Sequence, residues 1–236
     1  TSVGRASGQA TAVCMIMVPP EGKKNIVLAT NANDCWDASA VEAALARVSR
    51  ASLPAYLVAD CEVPTGVVRQ IVQACRTHGI PVVLDPSFPD RVEPDLFEHM
   101  HAITPNVAEA QMLLDMDVET PAQAARAAAR LRERGVDIAC VKLSDGGCVI
   151  DAGQGCRHVP GGAVEPVDTT GAGDCFTGIF AIALLEGQPP LVAAAWAVAG
   201  ANHAVTAYGS KPGYPTREQL MPAAHQRLSE ARRLDD

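Results

Sequence analysis

Apolar residues in this chain gather in short runs, and segments with a helical period separate those runs. Residues 55–60 (AYLVAD) and 80–86 (IPVVLDP) are almost continuously apolar, which is typical of strands buried on both faces of a parallel sheet. Between them, residues 64–79 have helical spacing, with Pro64 early and Gly79 at the end, the order that helices favour. The alternation predicts an α/β fold in three layers, with a mostly parallel sheet covered on both faces.

The same alternation continues along the chain. Asp37 is placed to cap a helix that carries Val41, Leu45 and Val48 at helical spacing. Further strands are predicted at 101–105, 137–144 and 146–152, and further helices at 106–114 and 120–135. The loop 169–174 (TTGAGD) opens another helix that runs to about residue 186, and two more helices are predicted near 190–207 and 216–233. No internal repeat or low-complexity linker interrupts this order, so we expect one α/β unit over residues 34–236.

The first 33 residues do not follow this order. Two short apolar runs, 11–18 and 25–30, flank the turn-forming residues 19–24 (PPEGKK), and this pattern predicts a β-hairpin. We expect residues 1–33 to form a small appended sheet that acts as a lid, and we call it the lid hairpin. The chain begins without Met and enters a strand pattern almost at once, so we expect it to continue a preceding segment.

Composition narrows the class of protein. Hydrophobic residues make up 48% of the chain and aromatic residues only 4%, so aliphatic side chains must build the core. The net charge of −8 and the lack of a basic patch argue against a nucleic-acid or anionic-membrane partner. No apolar run approaches the roughly 20 residues that a membrane-spanning helix needs. The eight cysteines are scattered without a C-x-x-C pair, which predicts reduced, buried thiols in a cytoplasmic protein.

One loop combines glycines, a helix start and an acid. Gly171 and Gly173 flank Ala172 directly before Asp174, and an apolar helix follows. Glycine permits unusual backbone angles, and the first N–H groups of a helix have no partner within it, so the loop can form an anion hole suited to a phosphoryl group. Asp174 is then a candidate general base for a hydroxyl group. Taken alone, the motif favours the simpler interpretation, in which this acid only stabilises the first turn of the helix.

Polar positions follow three other predicted strands, at the edge where open α/β sheets bind ligands. Asn106 and Glu109 could cap a helix as Asn-x-x-Glu, or could order hydrated Mg²⁺ and phosphates, because magnesium needs few protein ligands. Residues 141–147 (VKLSDGG) could be a plain hairpin turn, or could cradle phosphates through Ser144 and backbone N–H groups. Glu62 is either a solvated acid or a ligand for a sugar hydroxyl.

The order of these motifs resembles the ribokinase-like (PfkB) family of carbohydrate kinases. Residues 168–180 (DTTGAGDCFTGIF) resemble its C-terminal signature, and residues 104–109 (TPNVAE) resemble its Asn-x-x-Glu motif. Residues 142–147 resemble its T-L-G-x-x-G nucleotide loop, with Lys142 in place of Thr and Ser144 in place of Gly. Similar elements at 31–33, 62–64 and 205–215 extend the resemblance through the whole chain and favour its ribokinase branch.

The resemblance implies a three-layer α/β fold with a β lid that often builds a homodimer. It also implies ATP-dependent phosphorylation of a sugar hydroxyl, with residues 34–236 as the nucleotide and phosphoryl-transfer domain. Asp174 would be the general base, and Gly171, Ala172 and Gly173 would form the anion hole.

The resemblance also implies ligand roles for individual residues. Glu109 would hold Mg²⁺ through metal-bound water, and Glu62 and Asp174 would contact the sugar. The nucleotide would be lined by Asn106, Lys142, Leu143, Ser144, Asp145, Gly146, Gly147 and Gly173. A monovalent cation such as K⁺ would be held by positions that match Asp168, Thr170, Ala204, Ala207, Gly209 and Gly213. Gly213 replaces a residue that is often Ser, and Val198 replaces an Asn or His that commonly faces adenine.

The chain departs from the family pattern at its start. The family begins with a strand, a sugar-contacting Asp and a Gly-Gly segment that opens a helix, and none of these precedes the lid hairpin here. We therefore expect the first βαβ portion to be missing from this sequence. We also expect residues 1–236 alone to bind nucleotide better than sugar, because the absent portion would supply most of the sugar pocket.

Several alternatives remain open from the sequence. The substrate could be fructose, 2-keto-3-deoxygluconate or a nucleoside, since these belong to related kinases. The chain could also be a non-catalytic remnant that binds nucleotide or sugar, although the intact Gly171–Asp174 loop argues against decay. A dinucleotide-binding oxidoreductase would need G-x-G-x-x-G after its first strand, and the sequence contains no such run.

Overall fold

The computed structural model of this chain describes residues 3–17 and 25–234. β1 (Val13–Met17) and β2 (Asn25–Ala29) pair antiparallel along their full length and form a separate two-stranded sheet. This pairing confirms the two strands predicted near the start of the chain. The turn predicted at 19–24 lies outside the described residues.

A seven-stranded sheet lies at the centre of the described residues. Its strands are β3 (Leu57–Ala59), β4 (Val82–Leu84), β5 (Ala102–Ile103), β6 (Ile138–Lys142), β7 (Cys148–Asp151), β8 (Arg157–Val159) and β9 (Arg232–Arg233), and this is also their spatial order. Strands β3 to β6 are parallel, and β7, β8 and β9 are each antiparallel to the preceding strand. The carboxyl ends of β3 to β6 therefore meet at one edge of the sheet.

Seven α-helices occur in the described part of the chain. They are α1 (Ala38–Ser49), α2 (Thr65–Thr77), α3 (Val107–Leu114), α4 (Pro121–Glu133), α5 (Ala172–Leu185), α6 (Pro190–Ala204) and α7 (Arg217–Ser229). As predicted, Asp37 caps α1, since its carboxylate accepts from the Ala40 N–H at 2.8 Å. Thr120 and Thr216 begin α4 and α7 with capping boxes. The sequence therefore sets where these helices start.

The helices cover both faces of the large sheet. Helices α2, α3 and α4 pack on one face, where Val72, Leu84 and Leu131 are fully buried. Helices α5, α6 and α7 pack on the other face around Phe180 and a set of buried alanines in α6. This arrangement confirms the predicted three-layer α/β fold with a mostly parallel sheet.

Two strands and two helix ends differ from the sequence prediction. Strands β8 and β9 contain three and two residues, too few to give a recognisable alternation. Strand β9 occupies the end of the segment 216–233 that was predicted as helix, because α7 stops at Ser229. Helix α6 stops at Ala204 rather than near 207, and the chain then turns towards the start of α5.

The cysteines behave largely as the sequence predicted. All eight are free thiols, and Cys61, Cys75, Cys140, Cys148 and Cys175 are buried, whereas Cys14 and Cys35 are exposed. The helices of the described residues include none with the length and apolar character that crossing a membrane requires.

Candidate active site

The start of α5 is shaped by a glycine that no other residue could replace without strain. Gly171 has φ +76°, a left-handed conformation that disfavours side chains. A β-carbon at this position would lie 2.5 Å from the Cβ of Ser210 and 2.8 Å from the Tyr214 hydroxyl oxygen. The Cys175 N–H then donates to the Gly171 carbonyl oxygen at 2.9 Å and begins the helical hydrogen bonds. The Ala172 N–H donates to the Thr169 carbonyl oxygen at a long 3.4 Å, and the first N–H groups of a helix are in general the ones that can bind an anion.

A cavity of about 420 Å³ opens beside this helix start. It is lined by Asn106, Lys142, Leu143, Ser144, Asp145, Gly146, Gly147, Gly162, Val164, Pro166, Thr169, Ala172, Gly173, Phe176, Ala201, Asn202 and Val205. The structure thus brings together every residue that the sequence analysis placed around the nucleotide. Val198 is fully buried and does not line the cavity.

The turn between β6 and β7 forms one wall of this cavity. The Leu143 N–H donates to the Gly147 carbonyl oxygen at 2.8 Å, and the Gly146 N–H donates to the Leu143 carbonyl oxygen at 3.2 Å. The Asp145 carboxylate accepts from the Gly147 N–H at 2.9 Å, while Ser144 is exposed at the tip. Gly146 has φ +82°. The segment is therefore a tight turn, as the sequence suggested, and it also forms part of the cavity wall; its binding of phosphates stays a prediction.

Asn202 is a cavity residue that sequence reasoning did not single out. Its side-chain N–H donates to the Gly146 carbonyl oxygen at 2.9 Å, and its side-chain oxygen accepts from the Gly162 N–H. Only 7% of Asn202 is exposed. This one buried amide therefore ties two adjoining segments of the cavity wall to α6. Its signal in the sequence was a polar residue inside an otherwise apolar helix.

Asn106 and Glu109 form a complete capping box at the start of α3. The Asn106 side-chain oxygen accepts from the Glu109 N–H at 2.9 Å, and Glu109 Oε2 accepts from the Asn106 N–H at 2.7 Å. Burial raises the pKa of Glu109 to about 7, despite opposing effects from Lys142 and this cap. Within the described residues, no three His, Cys, Asp or Glu side chains are grouped as a metal site.

Asp85, at the carboxyl end of β4, was missed by sequence reasoning. Its Oδ2 accepts from Lys142 Nζ at 3.0 Å and from the Thr177 hydroxyl at 2.8 Å. The Thr177 hydroxyl also lies 2.9 Å from that of Thr104, which follows β5. A β-carbon at Gly173 would lie 3.6 Å from Lys142 Nζ. This polar network connects three strand ends to α5 directly beneath the predicted anion hole.

Glu62 and Asp174, the two residues predicted to contact the sugar, lie near Asp85. Burial raises the pKa of Glu62, and the negative charges of Asp60, Asp174 and Asp85 raise it further. The Glu62 N–H donates to Asp60 at 2.8 Å, which fixes the chain after β3. Asp174 is exposed in the first turn of α5. Neither Glu62 nor Asp174 lines the cavity, whereas the predicted nucleotide residues all do.

The residues of the predicted cation site lie on two adjoining loops. The Asp168 carboxylate accepts from the Thr170 N–H at 2.9 Å and from the Gly209 N–H at 3.0 Å. Gly213 packs against the Ala204 carbonyl oxygen, and the Gly213 carbonyl oxygen lies 3.0 Å from His203 Nδ1. The structure therefore brings Asp168, Thr170, Ala204, Gly209 and Gly213 to the outer side of the Gly171 loop. Ala207 is half-buried in the same segment.

Comparisons with known proteins agree with these features. The model of a family described as "pfkB family carbohydrate kinase" matches residues 1–217 of this chain. Ribokinase of Haemophilus influenzae is 28% identical over 221 residues, which cover 94% of this chain and 71% of that protein. Ribokinase of Arabidopsis thaliana is 29% identical over 224 residues, which cover 93% of this chain and 58% of that protein.

A solved structure supports the same relationship. The structure of Arabidopsis thaliana ribokinase complexed with ribose and ATP superposes with a TM-score of 0.77 at 25% sequence identity. The match covers 92% of this chain and 70% of that chain. This chain therefore spans between 58% and 71% of the length of the relatives named here.

Proposed function

This chain belongs to the pfkB family of carbohydrate kinases, and on that premise we propose that it transfers the γ-phosphoryl group of ATP to a sugar hydroxyl. Ribose is the sugar we propose, since the two curated relatives compared above are named ribokinases and one solved relative was determined with ribose and ATP. The observation that carries the proposal is the start of α5. It combines N–H groups suited to an anion, an exposed acid and a cavity lined by the predicted nucleotide residues.

In the proposed reaction, Asp174 accepts the proton of the sugar hydroxyl while the sugar oxygen bonds to the γ-phosphorus. The bond from that phosphorus to the bridging oxygen of ADP breaks, and ADP leaves with the electron pair. The N–H groups at Gly171, Ala172 and Gly173 hold the phosphoryl oxygens, whose negative charge the helix start favours. The pKa of Glu62 is raised chiefly by burial, and the negative charge of nearby Asp174 contributes to the same shift. Glu62 would hold another hydroxyl of the sugar.

Mg²⁺ bound with ATP would neutralise phosphate charge in this site. Glu109 fits the role of holding it through water, because burial has raised the pKa of a carboxyl that a nearby cation would stabilise in its charged form. The capping box uses Glu109 Oε2, and Oε1 is not part of that cap. Asn106 lines the cavity beside it and would contact phosphate.

The loop pair around Asp168 would hold K⁺ against the outer side of the anion hole. Asp168, which already joins the two loops through the Thr170 and Gly209 N–H groups, would supply the negative charge. Carbonyl oxygens would come from Thr170, Ala204, Ala207, Gly209 and Gly213. The contact of His203 with the Gly213 carbonyl oxygen competes with that one ligand. We therefore expect this site to bind K⁺ weakly.

We also propose that the lid hairpin covers the sugar and joins two copies of this protein. Val13, Met15, Val27 and Ala29 lie on one face of the two-stranded sheet and are all exposed, so this apolar face is available for a second copy.

The free thiols are consistent with a reducing compartment such as the cytoplasm.

The proposed function is tested by measuring ADP release from ATP by the full-length protein with ribose, fructose, 2-keto-3-deoxygluconate and adenosine in turn. We expect ribose to raise ADP release most, and we expect ATP, but not NAD, to raise the melting temperature. ATP binding without ADP release with any sugar would instead indicate a non-catalytic nucleotide-binding protein. The same melting assay on residues 1–236 should retain the response to ATP, because the described cavity contains the nucleotide residues.

A further inference from the structure

The Lys142 side chain extends away from the predicted nucleotide loop in which its backbone lies. Its backbone lies at the carboxyl end of β6, where its N–H donates to the Pro105 carbonyl oxygen at 2.8 Å. Its side chain turns away from the β6–β7 turn and crosses the end of β5 to reach Asp85 after β4. The ammonium group therefore lies beneath the start of α5.

The distances place this charge beside the predicted anion hole. Lys142 Nζ is 3.0 Å from Asp85 Oδ2 and 3.6 Å from the position that a β-carbon on Gly173 would take. A β-carbon at residue 173 would thus be in van der Waals contact with the ammonium group. An anion held by the N–H groups at the start of α5 would meet this ammonium group as well.

The ammonium group has donors to spare for such an anion. A lysine ammonium group has three N–H donors, and the contact with Asp85 uses one of them. Only 13% of the Lys142 side chain and 14% of the Asp85 side chain are exposed, so the pair is largely shielded from water. Shielding strengthens the attraction between the ammonium group and a phosphoryl oxygen.

The partners of Asp85 hold the lysine in this place. Asp85 Oδ2 also accepts from Thr177, and the Thr177 hydroxyl contacts Thr104 at 2.9 Å. Thr104 and Thr177 are both almost completely buried. The carboxylate is therefore fixed by α5 itself, the helix whose start would bind the phosphoryl group.

We propose that Lys142 is a catalytic residue that contacts the γ-phosphoryl group of the nucleotide, and that Asp85 and Thr177 position its ammonium group. This proposal rests on the kinase function proposed above. ATP and the transition state carry the negative charge of the γ-phosphoryl group, which ADP lacks, so the ammonium group should stabilise them more than ADP. The competing explanation is a purely structural ion pair that links β4 to β6.

The test compares binding of ADP and of AMP-PNP, a non-hydrolysable ATP analogue, by titration calorimetry with the full-length protein and Mg²⁺. The variants are Lys142→Met, Asp85→Asn and the double variant, with Arg126→Met as a control that removes an exposed cation from α4. Lys142→Met should lose roughly tenfold or more of the preference for AMP-PNP over ADP, the effect expected of a hydrogen bond to a charged group. It should also lower kcat with ribose while leaving the KM for ribose unchanged.

The double variant separates the two explanations. Removing both charges of an ion pair often restores stability, so its melting temperature should return towards that of the parent protein. Its preference for AMP-PNP should stay low under our proposal. A preference that matches the parent protein in Lys142→Met or in the double variant would overturn the proposal. If Lys142→Met does not fold, the preference of the double variant for AMP-PNP over ADP decides between the two explanations.

The binding ratio also keeps this proposal distinct from the kinase proposal. A parent protein that phosphorylates no sugar would contradict the proposed function, while the AMP-PNP to ADP ratio would still show whether Lys142 meets the γ-phosphate. Normal turnover by Lys142→Met would contradict only the role of Lys142.

Discussion

The large and the small sheet are built from similar apolar runs, yet their side chains lie in opposite environments. Strands β4 and β7 are buried along their full length between two layers of helices. Every residue of β1 is exposed, including Met15, which is 64% exposed. Two strands alone are marginally stable in water, so the small sheet needs a partner surface that the large sheet does not.

The two sheets differ in what fixes their structure. Contacts within this chain enclose the large sheet, whereas the small sheet has an exposed face that such contacts do not cover. The polar network of Asp85, Lys142 and Thr177 is enclosed by the large sheet and its helices, so its geometry follows from the core. The exposed face of the small sheet has no such enclosure. We therefore expect changes in the large sheet to alter stability and phosphoryl transfer, and changes in the small sheet to alter association.

The largest effect should come from Gly171→Ala. The substitution forces a side chain into a left-handed conformation and against Ser210 and Tyr214, so it should cost about 1–3 kcal/mol of unfolding free energy and greatly reduce activity. Gly178→Ala in the same helix is the control. No atom lies within 4 Å of its added β-carbon, and alanine should stabilise the helix by about 0.5–1 kcal/mol. Urea unfolding of both variants checks this, and equal effects would contradict the account.

Asn202→Ala should weaken nucleotide binding. The change leaves the Gly146 carbonyl oxygen and the Gly162 N–H without their buried partner, at a cost of about 1–3 kcal/mol of unfolding free energy. Because both groups belong to the cavity wall, the KM for ATP should rise while the KM for ribose stays unchanged. Steady-state kinetics with each substrate varied in turn would measure this. An unchanged KM for ATP would remove Asn202 from the nucleotide site.

Met15→Gln should change association without changing the stability of the large sheet. The apolar face of the small sheet loses a side chain there, so we expect a lower molar mass by light scattering at equal concentration. Met112→Gln on α3 is a matched control, because Met112 is also 64% exposed. It should leave the molar mass unchanged. The same molar mass for all three proteins would contradict association through the small sheet.

The smallest effects should appear in how stability depends on pH. Burial lowers the pKa of His158 from its ordinary value of 6.5, so the stability linked to this group is present above pH 6.5 and is lost as pH falls through the folded-state pKa. Burial raises the pKa of Glu109 from 4.5 to about 7, so its contribution is present below pH 4.5 and is lost as pH rises through about 7.

Two variants isolate these opposing effects. His158→Phe should remove the loss of stability that His158 causes as pH falls. Glu109→Gln should remove the loss of stability that Glu109 causes as pH rises. Urea unfolding between pH 5.5 and 8 would compare each variant with the parent protein over about the range where these two groups titrate. Parallel curves for all three proteins would show that neither group carries the predicted linkage.

The sequence predicted most elements of the large sheet because their signals are local. Helix α1 begins at the Asp37 cap, and the anion-hole loop is recognisable from Gly171 to Asp174 without knowledge of distant contacts. Strand β9, with two residues, depends on pairing with β8 and has no local pattern of its own. Propensity and periodicity cannot indicate such an element.

The candidate site was predicted less completely, for a similar reason. Asp85 follows a strand and gives the same signal as a solvated acid, and its importance comes from Lys142, which lies 57 positions further along the chain. Asn202 likewise acquires its role from Gly146 and Gly162. Residues that work through long-range hydrogen bonds are identified only when the fold brings their partners together.

The central claim is that the start of α5 carries phosphoryl transfer, with Asp174 as the base. The most direct measurement is the rate at which the full-length protein forms sugar phosphate from ATP and ribose, followed by mass spectrometry, for the parent protein and for Asp174→Asn. The amide keeps the shape of the side chain but cannot accept the proton, so the rate should fall about 10²–10⁴-fold while ATP affinity and melting temperature stay unchanged. Formation of sugar phosphate by Asp174→Asn at the parental rate would contradict the account.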